Sequence, residues 1–258
     1  MSSFDLSNKN ILITGASKGL GSATAVELSK YNANLHLVAR SDKELKKTRN
    51  KCKNSTKHKL YSCNLRDKIQ LESFLKIIGK INIDIVIHCL GGALGKKDNL
   101  AKIEDWQEVW NFNVGIGIEI NNILIPKMKA KKYGKIIHIS SSYSINGSIR
   151  NEPYGGSSLY SCSKAFLNMY VKTLSKEISK YNIAVNALLP GPFLSKGKHW
   201  HKLKNNDPNL YSKYIKENIS IGRMAKYSDI LPFIKLLCSN ESNYMIGSLI
   251  NIDGGVFN

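Results

Sequence analysis

The sequence predicts an α/β fold: one doubly wound unit over residues 1–258, with a seven-stranded parallel sheet and helices on both faces. Three observations predict it. Short apolar runs alternate with amphipathic stretches along the whole chain. The runs are apolar at consecutive positions, as expected of strands buried on both faces. The first run also ends in a glycine-rich turn, Thr14-Gly15-Ala16-Ser17-Lys18-Gly19-Leu20-Gly21, that opens the first helical stretch.

Taken in order, Ile11-Leu12-Ile13 is the first strand, and Ser22 to Lys30 is a helix with Ala23, Val26 and Leu28 at helical intervals. Asn34 to Ala39 is the second strand, and a lysine-rich helix runs from Asp42 to about Lys53. Lys59 to Cys63, then Asp67 to Ile78, give the third strand and its helix; Asp84 to Cys89 is the fourth strand. One long helix is expected from about Trp106 to Lys132, softened near its start by Gly115 and Gly117, each costing about 1 kcal/mol relative to Ala. Lys135 to Ser140 is the fifth strand, Tyr160 to Tyr181 a helix and Ile183 to Leu189 the sixth strand. A helix over Asp229 to Ser239 precedes the last strand, Leu249 to Ile252. Phe193 to Ser220 is the least periodic segment, and its cluster Lys196, Lys198, His199, His201, Lys202 and Lys204 marks it as a candidate substrate lid.

Composition narrows the class. The chain carries 38 Lys and Arg against 19 Asp and Glu, a net charge of +19, with 42% hydrophobic residues. That apolar fraction, spread along the chain, argues against disorder. No window reaches the roughly 18 consecutive apolar residues of a membrane helix. The N-terminus lacks a basic start followed by an apolar core, so the expected location is cytoplasmic. The lysines are dispersed rather than gathered in a stripe, which argues against nucleic acid as a partner. Five cysteines without a CxxC pair offer neither a disulfide framework nor a zinc site. His199 and His201 lie two apart with no carboxylate pattern, so no metal site is expected. Cys162 is expected to be a helix-contact or core residue, and Trp106 and Trp110 to pack on neighbouring helices.

The glycine turn carries the first chemistry. Gly15, Gly19 and Gly21 allow a tight turn and close approach to a pyrophosphate, whose charge suits the free N–H groups of a helix N-terminus. At the end of the second strand, where an acidic residue would bind the ribose 2′-hydroxyl of NAD(H), the chain reads Ala39-Arg40-Ser41. With Lys18 in the glycine turn, Arg40 favours NADP(H), with NAD(H) as the alternative.

The second chemistry is Tyr160-Ser161-Cys162-Ser163-Lys164. A spacing of four places Tyr160 and Lys164 on one helical face. A phenol of pKa about 10 needs a neighbouring cation to act near neutrality. Lys164 supplies it, and Tyr160 can then exchange a proton with a carbonyl or alcohol oxygen while hydride moves.

With these motifs in place, over essentially its full length the chain resembles the short-chain dehydrogenase/reductase family, which has a Rossmann-type fold. The resemblance implies a carbonyl/secondary-alcohol oxidoreductase with Tyr160 as acid/base and Lys164 lowering its pKa and holding the nicotinamide ribose. It also implies Ser141 orienting the substrate oxygen, with Ser140 and Ser142 one register step either side, and Asn113 supporting a proton-relay water. For the cofactor it implies the turn residues Gly15, Ser17, Lys18, Gly19, Leu20 and Gly21, the adenine-side pair Asn64 and Leu65, and Gly91. On the nicotinamide side it implies Pro190, Gly191 and Ser195, the last in place of a Thr. Pro126 and Ile252-Asp253-Gly254-Gly255 agree with the same register.

Two departures stand out. The family's Asn-Asn-Ala-Gly reads His88-Cys89-Leu90-Gly91, from which altered packing rather than lost chemistry is expected. The loop between Ser141 and Tyr160 is longer than usual and contains Arg150, Glu152 and Tyr154. Arg150 and the lid lysines suggest an anionic small-molecule substrate, and the family's helix–helix interface implies a homodimer or homotetramer. The alternative to an enzyme is an idle NADP(H)-binding regulator or scaffold.

Overall fold

The computed structural model describes residues 4–96, 98, 100–147, 157–195, 197 and 199–256. Seven strands form one sheet: β1 Asn10–Thr14, β2 Asn34–Ala39, β3 Lys59–Ser62, β4 Ile85–His88, β5 Gly134–Ile139, β6 Ile183–Pro190 and β7 Leu249–Ile252. All pair in parallel, in the order β3-β2-β1-β4-β5-β6-β7. The predicted Rossmann-type sheet is therefore the one observed. The order in which successive strands are added reverses at β1 and β4, and the crevice outside the strand ends at that point is where such folds bind ligands.

Alternation within each strand builds two cores. Ile11 and Ile13 of β1, Leu35 and Leu37 of β2, and Ile85 and Ile87 of β4 pack on one face. Leu12, Val38 and Val86, the residues between or beside them, pack on the other. The first face is covered by α1 (Gly19–Ser29) and α10 (Tyr227–Cys238), whose Leu28, Ile230 and Ile234 reach it. The second is covered by α3 (Lys68–Ile78), α5 (Ile116–Ala130) and α7 (Ser158–Ile178) through Phe74, Ile120, Leu124 and Val171. Each such fully buried aliphatic side chain contributes about 1.5–3 kcal/mol relative to exposure.

Helix starts follow their caps. Ser41 accepts from the Glu44 N–H at the start of α2 (Asp42–Lys51), Asp67 from Gln70 at α3 and Ser157 from Tyr160 at α7.

Three expectations require correction. The long helix over Trp106 to Lys132 is α4 (Ile103–Trp110) and α5 joined by a π-helical turn at Asn111–Gly115. One extra residue per turn leaves the hydrophobic pattern almost unchanged, so the pattern does not reveal it. The segment Phe193 to Ser220 contains two helices, α8 (His199–Asn206) and α9 (Pro208–Asn218), separate in sequence from the short α6 (Tyr143–Asn146). They share a small core of Tyr211, Tyr214, Ile219, Met224 and Val256 that stands apart from the sheet's cores. Cys162 is exposed rather than packed, on the outer face of α7 with Phe166 and Met169. Trp110 does pack as expected, edge-on to Phe166 at 5.5 Å.

Candidate active site

The glycine turn lies between β1 and α1, and its glycines are dictated by space. Gly15 and Gly19 have φ of +68° and +61°, and a Cβ on Gly21 would stand 2.5 Å from the Gly15 carbonyl oxygen. The start of α1 differs from its neighbours. Lys18 occupies the cap position without a side-chain hydrogen bond, and the first turn holds no acidic residue. The leading N–H groups thus keep their capacity for a bound anion. Thr48 of α2 donates to the Ser17 carbonyl at 3.3 Å and shares a 2.8 Å hydrogen bond with Ser22, pinning the turn against the second helix.

Lys18 and Arg40 both reach solvent at this edge. Lys18 lies 3.9 Å from Glu44, while Asp42, the first acid after β2, is paired with Lys46 at 2.7 Å. Asn64 and Leu65 follow β3. Leu65 is buried in the second core, so what it can offer a cofactor is backbone, and the Asn64 N–H donates to Gln70.

At the far side, Pro190 ends β6 and Gly191 donates to the Ile252 carbonyl at 3.0 Å. A Cβ on Gly191 would meet Asp253 at 2.7 Å. The Ser195 hydroxyl lies 3.3 Å from where a Gly19 Cβ would be, which brings the loop after β6 over the glycine turn. Tyr227 joins them, its hydroxyl 3.7 Å from the same point. Sequence reasoning missed Tyr227; no local pattern marks a tyrosine that opens a distant helix. These residues fit a dinucleotide: a cradle that admits no Cβ, uncapped helix donors, and a hydroxyl-lined crevice at the sheet's switch point.

Around Tyr160 the elements converge. β5 ends at Ile139, and of the three serines that follow it is Ser141 whose hydroxyl acts on the Tyr160 phenol, holding its pKa down against burial. Ser141 Oγ also accepts from the Tyr143 N–H at 3.3 Å. Ser140 instead donates to Asn168 at 2.7 Å, and Ser142 is 2% exposed with its hydroxyl unpartnered. Lys164, also 2% exposed, donates from Nζ to the Ile139 carbonyl at 2.8 Å and lies 5.8 Å from the Tyr160 ring centre. Burial pushes the Tyr160 phenol up, with the Ser141 hydrogen bond opposing. Burial also lowers Lys164 to about 8. Tyr160 is thus a protonated acid beside an amine that titrates near neutrality.

Asn113 lies in the π turn. Its Oδ1 accepts from the Gly92 N–H at 2.9 Å, and its Nδ2 donates to the carbonyls of Gly92 and Val109. The extra residue of the π turn frees Asn113 to clamp the loop after β4. Gly91 is required there: its Cβ would stand 2.8 Å from Asn113 Oδ1 and 3.1 Å from Lys164 Nζ. Asn113, Ser141, Tyr160, Lys164 and Gly91 are therefore brought together, and the glycine turn with Ser195 forms the adjoining crevice. Arg150, Glu152, Tyr154, Lys196 and Lys198 lie outside the described residues. Tyr143, also unforeseen, joins its hydroxyl to that of Tyr214 on α9 at 3.0 Å.

Among the described residues no group of three or more His, Cys, Asp or Glu side chains is gathered as metal ligands. Within them, no helix is long and apolar enough to cross a membrane.

Comparison with known proteins gives the class. The short chain dehydrogenase family model matches residues 9–205. The chain belongs to that family and is an NAD(P)-dependent oxidoreductase of carbonyl and alcohol groups. More particularly, it is 32% identical over 256 residues to a 3-oxoacyl-[acyl-carrier-protein] reductase of Rickettsia prowazekii, covering 98% of each chain. The corresponding reductase of Aquifex aeolicus is 27% identical over 257 residues, again covering 98% of each. Among solved structures, L-sorbose reductase from Gluconobacter frateurii, complexed with NADPH and L-sorbose, superposes with a TM-score of 0.87 at 26% identity, covering 99% of each chain.

Proposed function

We propose that the protein is an NADP(H)-dependent reductase in which Tyr160 protonates the carbonyl oxygen of a ketone. The observation that carries this is the convergence of Ser141, Tyr160 and buried Lys164 beside a glycine turn in which a Gly21 Cβ would stand 2.5 Å from the Gly15 carbonyl oxygen. The bound nicotinamide supplies the hydride. Ser141 orients the substrate oxygen toward the Tyr160 hydroxyl, Lys164 holds the nicotinamide ribose and returns the proton, and Asn113 fixes the loop beneath them. Lys18 and Arg40 favour the 2′-phosphate of NADP(H) at the β2 edge. An idle scaffold fits poorly with this, because such a role leaves no reason to keep four competent groups around one crevice.

A narrower reading concerns the substrate. Between α9 and the turn before α10 lies a cavity of about 420 Å³ lined by Leu194, Tyr211, Ile215 and Met224, with Arg223 and Lys226 at its edge. Arg223 is tied to Asp229 at 2.7 and 3.1 Å, so the wall is apolar with Lys226 as its further cation, which suits an acyl chain better than a free sugar, and the names of the relatives point the same way. The unit 193–220 is read as the lid over this substrate. The outward apolar residues Trp110, Ile123, Phe166 and Met169 support pairing of two copies through α4, α5 and α7.

NADPH oxidation with a panel of 3-oxoacyl thioesters, neutral ketones and L-sorbose tests both readings. NADPH should exceed NADH by roughly tenfold or more in kcat/KM, and the thioesters should lead the panel. Equal use of both cofactors would remove the role given to Lys18 and Arg40, and a leading sugar would remove the thioester.

A further inference from the structure

His88 ends β4 and His138 stands opposite it on β5, paired in register. Their rings stack with centres 4.5 Å apart at 16°, and they are 6% and 2% exposed. Two imidazoles at this separation in a dry interior cannot both carry charge. Asn121 of α5, fully buried, sorts them. Its Oδ1 takes the hydrogen bond from His88 Nε2 at 3.0 Å, while its Nδ2 points to His138 Nε2 at 3.3 Å and to the Tyr170 hydroxyl at 3.1 Å. One amide therefore dictates two opposite tautomers. His88 carries its proton on Nε2 and His138 on Nδ1, leaving His88 Nδ1 as a bare acceptor.

That acceptor lies beside Gly117, 3.7 Å from where its Cβ would stand. Gly117, His88, His138, Thr14, Asn113 and Lys164 all line one cavity of about 10 Å³. This is the scale of a single water, and the wall supplies the two to four polar partners that a buried water needs. The titratable groups facing the pair are Lys164 and Tyr170 from α7, and Cys89 next along the chain acts on Lys164. Burial and Lys164 hold both imidazoles neutral, His88 at about 4.

We propose that His88, fixed in its Nε2–H tautomer by Asn121, is a positioning residue for Lys164: its Nδ1 and the Lys164 ammonium share one water in this cavity. The inference rests on the catalytic reading of Tyr160 and Lys164. It extends that reading to the wall of the cavity formed by β4, where His88 presents a neutral acceptor with the His138 ring stacked on it. Removing the acceptor destabilises the charged amine, so Lys164 gives up its proton at lower pH.

Two measurements test it together. In the ¹⁵N-histidine-labelled protein, His88 should appear as the Nε2–H tautomer and His138 as the Nδ1–H tautomer at pH 7. Lys164→Met should shift the His88 Nδ1 resonance and leave His36 unmoved. In kinetics with NADPH and the best ketone of the panel, His88→Leu should lower kcat roughly tenfold and move the basic limb of kcat/KM down by about one pH unit. The KM for NADPH should change less than about twofold, and His88→Asn, which restores a carbonyl acceptor, should return most of both effects. The opposite tautomers, or a His88→Leu protein that loses only melting temperature while keeping its pH profile, would overturn the proposal. A wild-type protein without Tyr160-dependent reduction would sink the catalytic reading instead, and the Lys164→Met shift would still decide whether His88 and Lys164 share the cavity.

Discussion

The cofactor side and the substrate side of the crevice are built by different means. On the cofactor side the backbone decides: Gly15, Gly19 and Gly21 hold positions where a Cβ meets main chain or a positive φ is required, and α1 begins uncapped. On the substrate side, side chains decide. The helices α8 and α9 rest on their own small core and connect to the catalytic segment through the Tyr143–Tyr214 hydroxyl pair. The first construction suits a ligand that does not vary. The second can change its lining without disturbing the sheet.

The sharpest way to break that comparison is to add atoms to the cradle. Gly21→Val drives a branched side chain into the Gly15 carbonyl, so NADPH binding should be lost and stability should fall by about 1–3 kcal/mol. Calorimetric titration and urea denaturation check the two effects. An equally bulky change at exposed Gly197, before α8, strains a backbone at φ +75° but meets nothing within 4 Å of its Cβ, and should leave NADPH affinity in place.

Acid should separate the regions next. His36, His58, His88 and His138 are buried in the sheet and its margins, whereas His199 of the lid is exposed. Burial holds the four buried groups below 6.5, with His36 and His88 at about 4. The unfolded chain takes up protons at 6.5 that the native chain refuses, so stability present above pH 6.5 is lost as pH falls toward 4. The unfolding free energy from urea titrations should fall across that window by an amount on the order of several kcal/mol, and His138→Asn should flatten the slope. A flat profile in the wild-type protein would contradict the neutral, buried pair.

The smallest effect is expected at the lid. Tyr214→Phe removes one hydroxyl from a partly buried pair, worth about 1 kcal/mol. The KM for the ketone should rise a fewfold while NADPH affinity stays constant, as initial rates would show. A matching loss of NADPH affinity would mean that the lid and the cradle are not separable.

What was legible in the sequence follows the same division. Gly15, Gly19 and Gly21, and the Tyr160–Lys164 spacing, are local constraints written in consecutive residues, and the structure places them where the motifs require. The parallel sheet was legible because β1 and β4 are apolar at successive positions; the strand order was not read from the sequence. The π turn at Asn113 was hidden because one inserted residue hardly alters a helical pattern. Both lid helices were hidden because their buried faces rest on a few aromatics, Tyr211 and Tyr214 among them, rather than on an aliphatic stripe. The His88–His138 pair depends on strand register, although each histidine directly follows an aliphatic run, Ile85-Val86-Ile87 or Ile136-Ile137, and that shared pattern was a signal available to be read. Cys162 was misplaced because the outer face of α7 is itself apolar, with Phe166 and Met169, so apolar neighbours did not signify interior.

The central claim is that Tyr160 delivers a proton in a site whose cofactor cradle stands independently of it. Tyr160→Phe, measured for NADPH-dependent ketone reduction and for NADPH affinity in the same preparation, tests it most directly. The loss of kcat should be roughly a thousandfold, with NADPH affinity within about twofold of wild type. A variant retaining a tenth or more of wild-type kcat would contradict it.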